Sequence, residues 1–279
     1  MKRVEKIAEL RNELKKYQGK KIALVPTMGY LHEGHLLLVK KAREVADIVV
    51  MSIFVNPIQF GPNEDFDKYP RDIERDEKLA EGAGVDYIFY PEVGEMYKDA
   101  KTTVEVTGVS EGLCGGKRPG HFRGVATVVL KLINIAKPDY AVFGIKDAQQ
   151  VRVIEKMVED LNIDVKIVRC EIKREESGLA LSSRNKYLSP EGKIKALALS
   201  RSIESAKKLI AEGERNPQKI KMEIEKVIKE NAAEAVIDYI EIVNYETMKN
   251  IETVSGEILI AEAVYIEKVR LIDNCILKI

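Results

Sequence analysis

With 279 residues, 45 basic against 45 acidic side chains and zero formal net charge, the chain carries no global field that would draw it to nucleic acid or to an anionic membrane surface. An apolar fraction of 45% suffices for one large core or two ordinary ones. Cys114, Cys170 and Cys275 are odd in number and far apart, which excludes a disulfide framework and a CxxC metal site and favours a reducing compartment.

The opening stretch MKRVEKIAELRNELKK is charged throughout, unlike a signal peptide, and no apolar run reaches the ~18 residues of a membrane helix. A cytoplasmic protein with no membrane partner is therefore expected. Val4, Ile7, Ala8 and Leu14 lie near one face, predicting an amphipathic helix over 3–17. Ile22–Pro26 reads as a buried strand, followed by a glycine-containing turn and a helix from Glu33 to Ala46. Asp47–Val55 is a second apolar strand; a polar loop and a charged helix over 71–82 lead to a third, Val85–Tyr90. A helix over 124–137, a strand Tyr140–Phe143, a helix over 147–160 and a strand Val165–Val168 complete the series. Strands alternating with helices imply crossovers and a parallel sheet, and continuous apolar strands fit a sheet covered on both faces.

The pattern changes after residue 172. Leu199, Ile203, Ala206 and Ile210 recur at helical spacing, as do Ile220, Ile224 and Val227. Strand-like stretches at 236–243, 257–266 and 268–273 follow, with no helix between the last two. This predicts an α/β domain over 1–172 and a smaller α+β domain over 173–279, joined within the polar run Lys173–Ser177.

Four segments hold more polar and glycine residues than a fold requires. In Pro26–His35 (PTMGYLHEGH) a strand ends and a helix begins. The free N–H groups of a helix start suit phosphate, and His32 and His35, three apart, share a face. Gly34 between them allows close approach of a nucleotide. Helix capping by one of the rings is the alternative; zinc fits poorly, because no third His or Cys is near. In Phe54–Gly61 (FVNPIQFG), Asn56 and Gln59 offer amide groups to a polar organic guest. Tyr69-Pro70-Arg71 adds an anion contact, and Asp76 is a candidate metal ligand in a helix dense with solvated carboxylates. Gly115–Gly124 reads as a flexible basic loop for a carboxylate or phosphate. Lys146 follows a strand and opens a helix, at the carboxyl edge where open α/β sheets bind ligands, and Leu181–Asn185 (LSSRN) supplies hydroxyls and a guanidinium.

In their order along the chain, PTMGYLHEGH, FVNPIQFG, the Tyr69-Pro70-Arg71 element, RPGHFRGVATVV, KPDYAVFGIKDAQQ and LSSRN resemble the pantothenate synthetase family. The HxGH turn and the Ser-Ser-Arg segment resemble the two signatures of the wider nucleotidyltransferase superfamily. The resemblance implies a Rossmann-like α/β N-terminal domain, a smaller α+β C-terminal lid domain and a homodimer. It implies Mg²⁺ with ATP, D-pantoate and β-alanine as substrates, and pantothenate, AMP and pyrophosphate as products. His32, His35, Lys146 and Arg184 would be catalytic. Met28, Gly34, Gly144, Asp147, Leu181, Ser182 and Ser183 would complete the ATP site. Asn56, Gln59, Gln150, Tyr69, Arg118 and His121 would hold the acid, and Asp76 would stand on the metal side. Leu181 departs from the methionine usual there, a volume-conserving exchange of small cost. The alternative is a simple nucleotidyltransferase on a small phosphorylated or acidic substrate, told apart by whether an amide product forms.

Overall fold

The computed structural model describes residues 1–62, 64 and 66–279. Its contacts divide the chain into two compact units: Met1–Thr107 with Gly115–Glu171, and Gly108–Cys114 with Ile172–Ile279. The short segment 108–114 thus groups with the C-terminal residues.

The first unit is built on six parallel strands: β1 (Lys2–Val4), β2 (Ile22–Thr27), β3 (Ile48–Ile53), β4 (Tyr87–Phe89), β5 (Tyr140–Gly144) and β6 (Lys166–Cys170). Their order is β1-β4-β3-β2-β5-β6. Every residue of β3 is buried, as are Ile22–Val25 of β2, which is why these strands read as unbroken apolar runs. Its helices are α1 (Ile7–Leu14), α2 (Glu33–Val45), α3 (Ile73–Ala83), α4 (Val93–Tyr97), α6 (His121–Ala136) and α7 (Ala148–Asp160), while α5 (Leu113–Lys117) has its first two residues in the second unit. Strand order reverses between β2 and β5, which pair through Ala23–Tyr140 and Leu24–Ala141. The segments leaving their carboxyl ends therefore emerge side by side, the position at which such sheets take ligands.

Two local expectations are corrected. The first residues form not a helix but the edge strand β1, in register with Tyr87–Phe89; helix begins only at Ile7. Helical periodicity cannot register a pairing with a strand more than eighty residues away. The presumed flexible loop over 115–124 is mostly helical: α5 ends at Lys117, Gly120 turns through φ +81°, and α6 starts at His121. Twelve of its sixteen residues are buried, so α6 packs on nearly all sides.

The second unit holds α8 (Pro190–Ala211) and α9 (Pro217–Asn231) with the antiparallel strands β7 (Val236–Asn244), β8 (Glu257–Ile266) and β9 (Val269–Lys278). β9 runs five residues beyond the expected 273. Leu199, Ile203, Ile220, Ile224, Ile228, Ile258, Ile260 and Val264 form its core. Each such side chain contributes about 1.5–3 kcal/mol on burial. No helix among the described residues is long and apolar enough to cross a membrane.

Candidate active site

The turn after β2 is held by side chains that leave its backbone no alternative. Gly29 has φ +85°, and an added Cβ would lie 2.9 Å from Ile53 Cγ2 and 3.0 Å from Asp76 Oδ2. Only glycine fits both the conformation and the space. Asp76, almost wholly buried on α3, accepts the N–H groups of Tyr30 and Leu31, each at 2.7 Å. Burial, the larger influence, raises its pKa, while those two N–H groups pull it down. Each carboxylate oxygen thus holds one backbone N–H, and through them Asp76 shapes the HxGH turn. Among the described residues no group of three or more His, Cys, Asp or Glu could hold a metal ion.

His32 caps α2. Its Nδ1 accepts the N–H of Gly34 at 3.1 Å, and Nδ1 of His35 accepts the N–H of His32 at 3.3 Å. Capping and ligand binding were read as alternatives, yet the geometry allows both. With Nδ1 an acceptor in each ring, the proton of the neutral imidazole sits on Nε2. Burial, Lys146 and Arg75 lower the His32 pKa to about 4; burial, His32 and Lys146 lower that of His35 to about 3. Two neutral N–H donors, their ring centroids 4.1 Å apart, thus stand at a helix N-terminus near the Lys146 ammonium. Lys146 enters from the next strand, in the short turn Ile145–Asp147 between Gly144 and α7. Donors plus one cation at a positive helix end make an anion site.

Beside it lies a buried amide cluster. Asn56 Nδ2 donates to Gln59 Oε1 at 2.9 Å and to the Gly124 carbonyl at 3.1 Å. The Tyr97 hydroxyl donates to Asn56 Oδ1 at 2.8 Å. Gln59 Nε2 donates to Met28 Sδ at 3.2 Å, which ties the cluster to the turn carrying the histidines. Helix α6 presses on this segment: a Cβ on Gly124 would lie 2.4 Å from the Ile58 carbonyl and 2.6 Å from Gln59 Cα. His121 Nε2 accepts a hydrogen bond from Arg118 at 2.9 Å, so its Nδ1 donates to the Gln59 carbonyl at 2.9 Å. Burial and Arg118 lower its pKa to about 4. Arg118 also grips Glu64 through two bonds of 2.6 and 2.5 Å.

In the second unit, Leu181 N donates to Lys173 O at 2.9 Å, closing a hairpin that pairs Arg174 with Ala180. Ser182 caps the following 3₁₀ turn, its hydroxyl accepting from Arg184 N at 3.3 Å, and buried Asn185 donates to Ala180 O at 3.0 Å. Arg174 anchors this hairpin to β9 by two bonds to the buried Asp273, 2.7 and 2.9 Å. Ser182, Ser183 and Arg184 themselves stay half-buried.

A family model described as pantoate-beta-alanine ligase matches residues 2–276. The chain belongs to the pantoate–β-alanine ligase family. The pantothenate synthetase of Caldicellulosiruptor saccharolyticus is 58% identical over 99% of each chain, and that of Thermotoga petrophila 54% identical over 99% of this chain and 100% of its own. The pantothenate synthetase of Thermus thermophilus superposes with a TM-score of 0.93 at 43% identity, covering 99% of both chains. The enzyme from Francisella tularensis, described as complexed with beta-gamma ATP and beta-alanine, gives 0.79 at 36% identity over 99% and 97% of the two chains.

Within this member of the pantoate–β-alanine ligase family, the structure gathers His32, Gly34, His35, Lys146, Met28 and Gln59 at one rim of the parallel sheet. Several of the residues expected to contact the acid also bond within the protein. Both donors and the acceptor of Asn56 are engaged within the protein. The ring nitrogens of His121 are both engaged, and Arg118 is paired with Glu64, while Lys117 and Arg123 stay exposed. Arg71 donates to the carbonyls of Tyr69 and Phe66 at 3.0 and 3.2 Å. Tyr69 is buried, with its ring 6.1 Å from that of Phe60. Gln150 is half-buried in the first turn of α7, and Asp147 is exposed at its start. Glu64, Tyr97 and Arg174 were not singled out as site residues. Each acts through a partner at least 41 positions away, which no local pattern announces.

Proposed function

We propose that the chain catalyses ATP-dependent condensation of pantoate with β-alanine by way of a pantoyl adenylate. A carboxylate does not acylate an amine directly, because oxide is a poor leaving group. In the first step a carboxylate oxygen attacks the α-phosphorus of ATP and pyrophosphate departs. In the second, the amine of β-alanine attacks the acyl carbon, AMP leaves with the bond electrons, and the amine gives up a proton. Charge grows on the phosphoryl oxygens in the first step. The Nε2–H groups of His32 and His35 and the Lys146 ammonium are set in advance to meet it, so little reorganisation is needed at the moment of reaction. Gln59 presents its amide to the acid. Ser182, Ser183 and Arg184 offer hydroxyl and guanidinium donors of the kind a triphosphate takes. Among the described residues no group of three or more His, Cys, Asp or Glu could hold a metal ion, and magnesium enters this scheme as part of the substrate Mg–ATP, held by phosphate oxygens. The dimeric assembly implied by the family resemblance is part of the same reading.

One observation carries the proposal: two imidazoles locked as neutral Nε2–H donors beside Lys146, within one turn of a methionine that touches the Gln59 amide. The test is exchange of labelled pyrophosphate into ATP, dependent on pantoate and independent of β-alanine, followed by formation of pantothenate when β-alanine is added. Lys146→Ala should lower the exchange rate by about a hundred- to thousand-fold with the fold intact. AMP transfer without an amide product would instead establish a simple nucleotidyltransferase.

A further inference from the structure

We infer that Tyr97 is a positioning residue for the acid substrate, acting at second hand by fixing which end of the Gln59 amide faces the guest. The inference rests on the function proposed above. The Gly124 carbonyl can only accept, so Asn56 must turn its Nδ2 toward it, at 3.1 Å. The second Nδ2 hydrogen then points to Gln59, which must answer with Oε1, at 2.9 Å. Oδ1 of Asn56 is left on the far side, and the Tyr97 hydroxyl satisfies it at 2.8 Å. With Oε1 turned to Asn56, the Nε2 end of Gln59 faces the other way, where it reaches Met28 Sδ at 3.2 Å and can donate to a guest. A backbone carbonyl and a tyrosine thus decide that Gln59 turns its donor end outward. The position welcomes a carboxylate or hydroxyl oxygen and refuses an ammonium, a distinction that matters to an enzyme handling an acid and an amine together.

Tyr97 suits this task. It stands at the end of α4, beyond β4, with its ring 6.1 Å from Phe54 and the Lys131 ammonium 5.6 Å over its face. Burial raises its pKa, so the hydroxyl keeps the proton it donates. Removing that hydroxyl strands a buried acceptor on Asn56 and frees the pair to rearrange.

The experiment is pyrophosphate exchange with pantoate and ATP varied separately, on wild type, Tyr97→Phe, Gln59→Ala and the double variant. Tyr97→Phe should raise the KM for pantoate about tenfold and leave the KM for ATP within twofold. Added to Gln59→Ala it should change the pantoate KM by less than twofold, because the group it orients is gone. Tyr17→Phe, which removes a hydroxyl bonded to Tyr87 at 3.0 Å, should change neither constant. A second variant covers poor folding of the first: Asn56→Asp cannot donate, so Gln59 must turn its N–H inward and its carbonyl outward, and the pantoate KM should rise at least thirtyfold. Equal effects on both KM values, or full additivity with Gln59→Ala, overturn the inference alone. Absence of exchange in the wild type overturns the proposed function and this inference together.

Discussion

Gly124→Ala places one methyl group where the structure has backbone on the other side. The new Cβ would meet the Ile58 carbonyl at 2.4 Å, Gln59 Cα at 2.6 Å and Gln59 N at 2.7 Å, against an ordinary contact of at least 3.4 Å. Neither partner is the movable end of a side chain, so α6 and the 57–59 turn must part by about 1 Å. Alanine gains about 1 kcal/mol over glycine as a helix former. Overpacking against rigid neighbours costs about 3 kcal/mol, the upper end of its usual range. The net loss of about 2 kcal/mol corresponds to a fall in Tm of about 4–8 °C for a domain of this size. Because the displaced turn carries Gln59, kcat/KM for pantoate should fall by up to about 10². Differential scanning calorimetry and pantoate-dependent exchange read the two effects. Gly82→Ala is the matched control, since an added Cβ there meets nothing within 4 Å. It should be neutral or stabilising by up to about 1 kcal/mol. A Gly124→Ala protein with unchanged Tm and unchanged pantoate kinetics would refute the claim that this close approach positions the amide cluster.

The imidazoles give a pH test. Both are held neutral in the fold but take up protons in the unfolded chain near pH 6.5; their contribution to stability is complete above that value and is lost as pH falls toward about 4 for His32 and about 3 for His35. Nitrogen-15 NMR should find the Nε2–H tautomer in both rings and no protonation between pH 8 and pH 5; a cationic ring at pH 6 would contradict the assignment. Asp76→Asn keeps one acceptor oxygen for two backbone N–H groups, so one of them goes unpaired at a cost of about 1–3 kcal/mol, and the KM for ATP should rise as the HxGH turn loosens. Restoration of activity by excess Mg²⁺ would point to Asp76 as a metal ligand instead.

What the chain discloses before its structure is seen depends on the range of the interaction involved. Ile22–Val25 and Ile48–Ile53 are legible because burial on both faces demands apolar residues in a row. His32 and His35 stand out because rare side chains meet at a strand-to-helix turn. Asp76 was noticed, but its purpose depends on Tyr30 and Leu31, 46 and 45 positions earlier. Gly124 was read as slack in a loop; it is instead a surface cut flat to receive the Ile58 carbonyl. Arg118 counted as a free cation until Glu64 was found holding it. Composition shows that such groups exist, and only the fold says what each one faces.

The seam between the two units is crossed by the backbone after Thr107, after Cys114 and after Glu171. Neither unit is therefore a single stretch of gene. Severing the chain at residue 171 would leave Gly108–Cys114 on the fragment that lacks the rest of its own unit. A chimera that borrows the C-terminal half of a relative must import those seven residues with it, so the two bodies are stitched into one heritable piece.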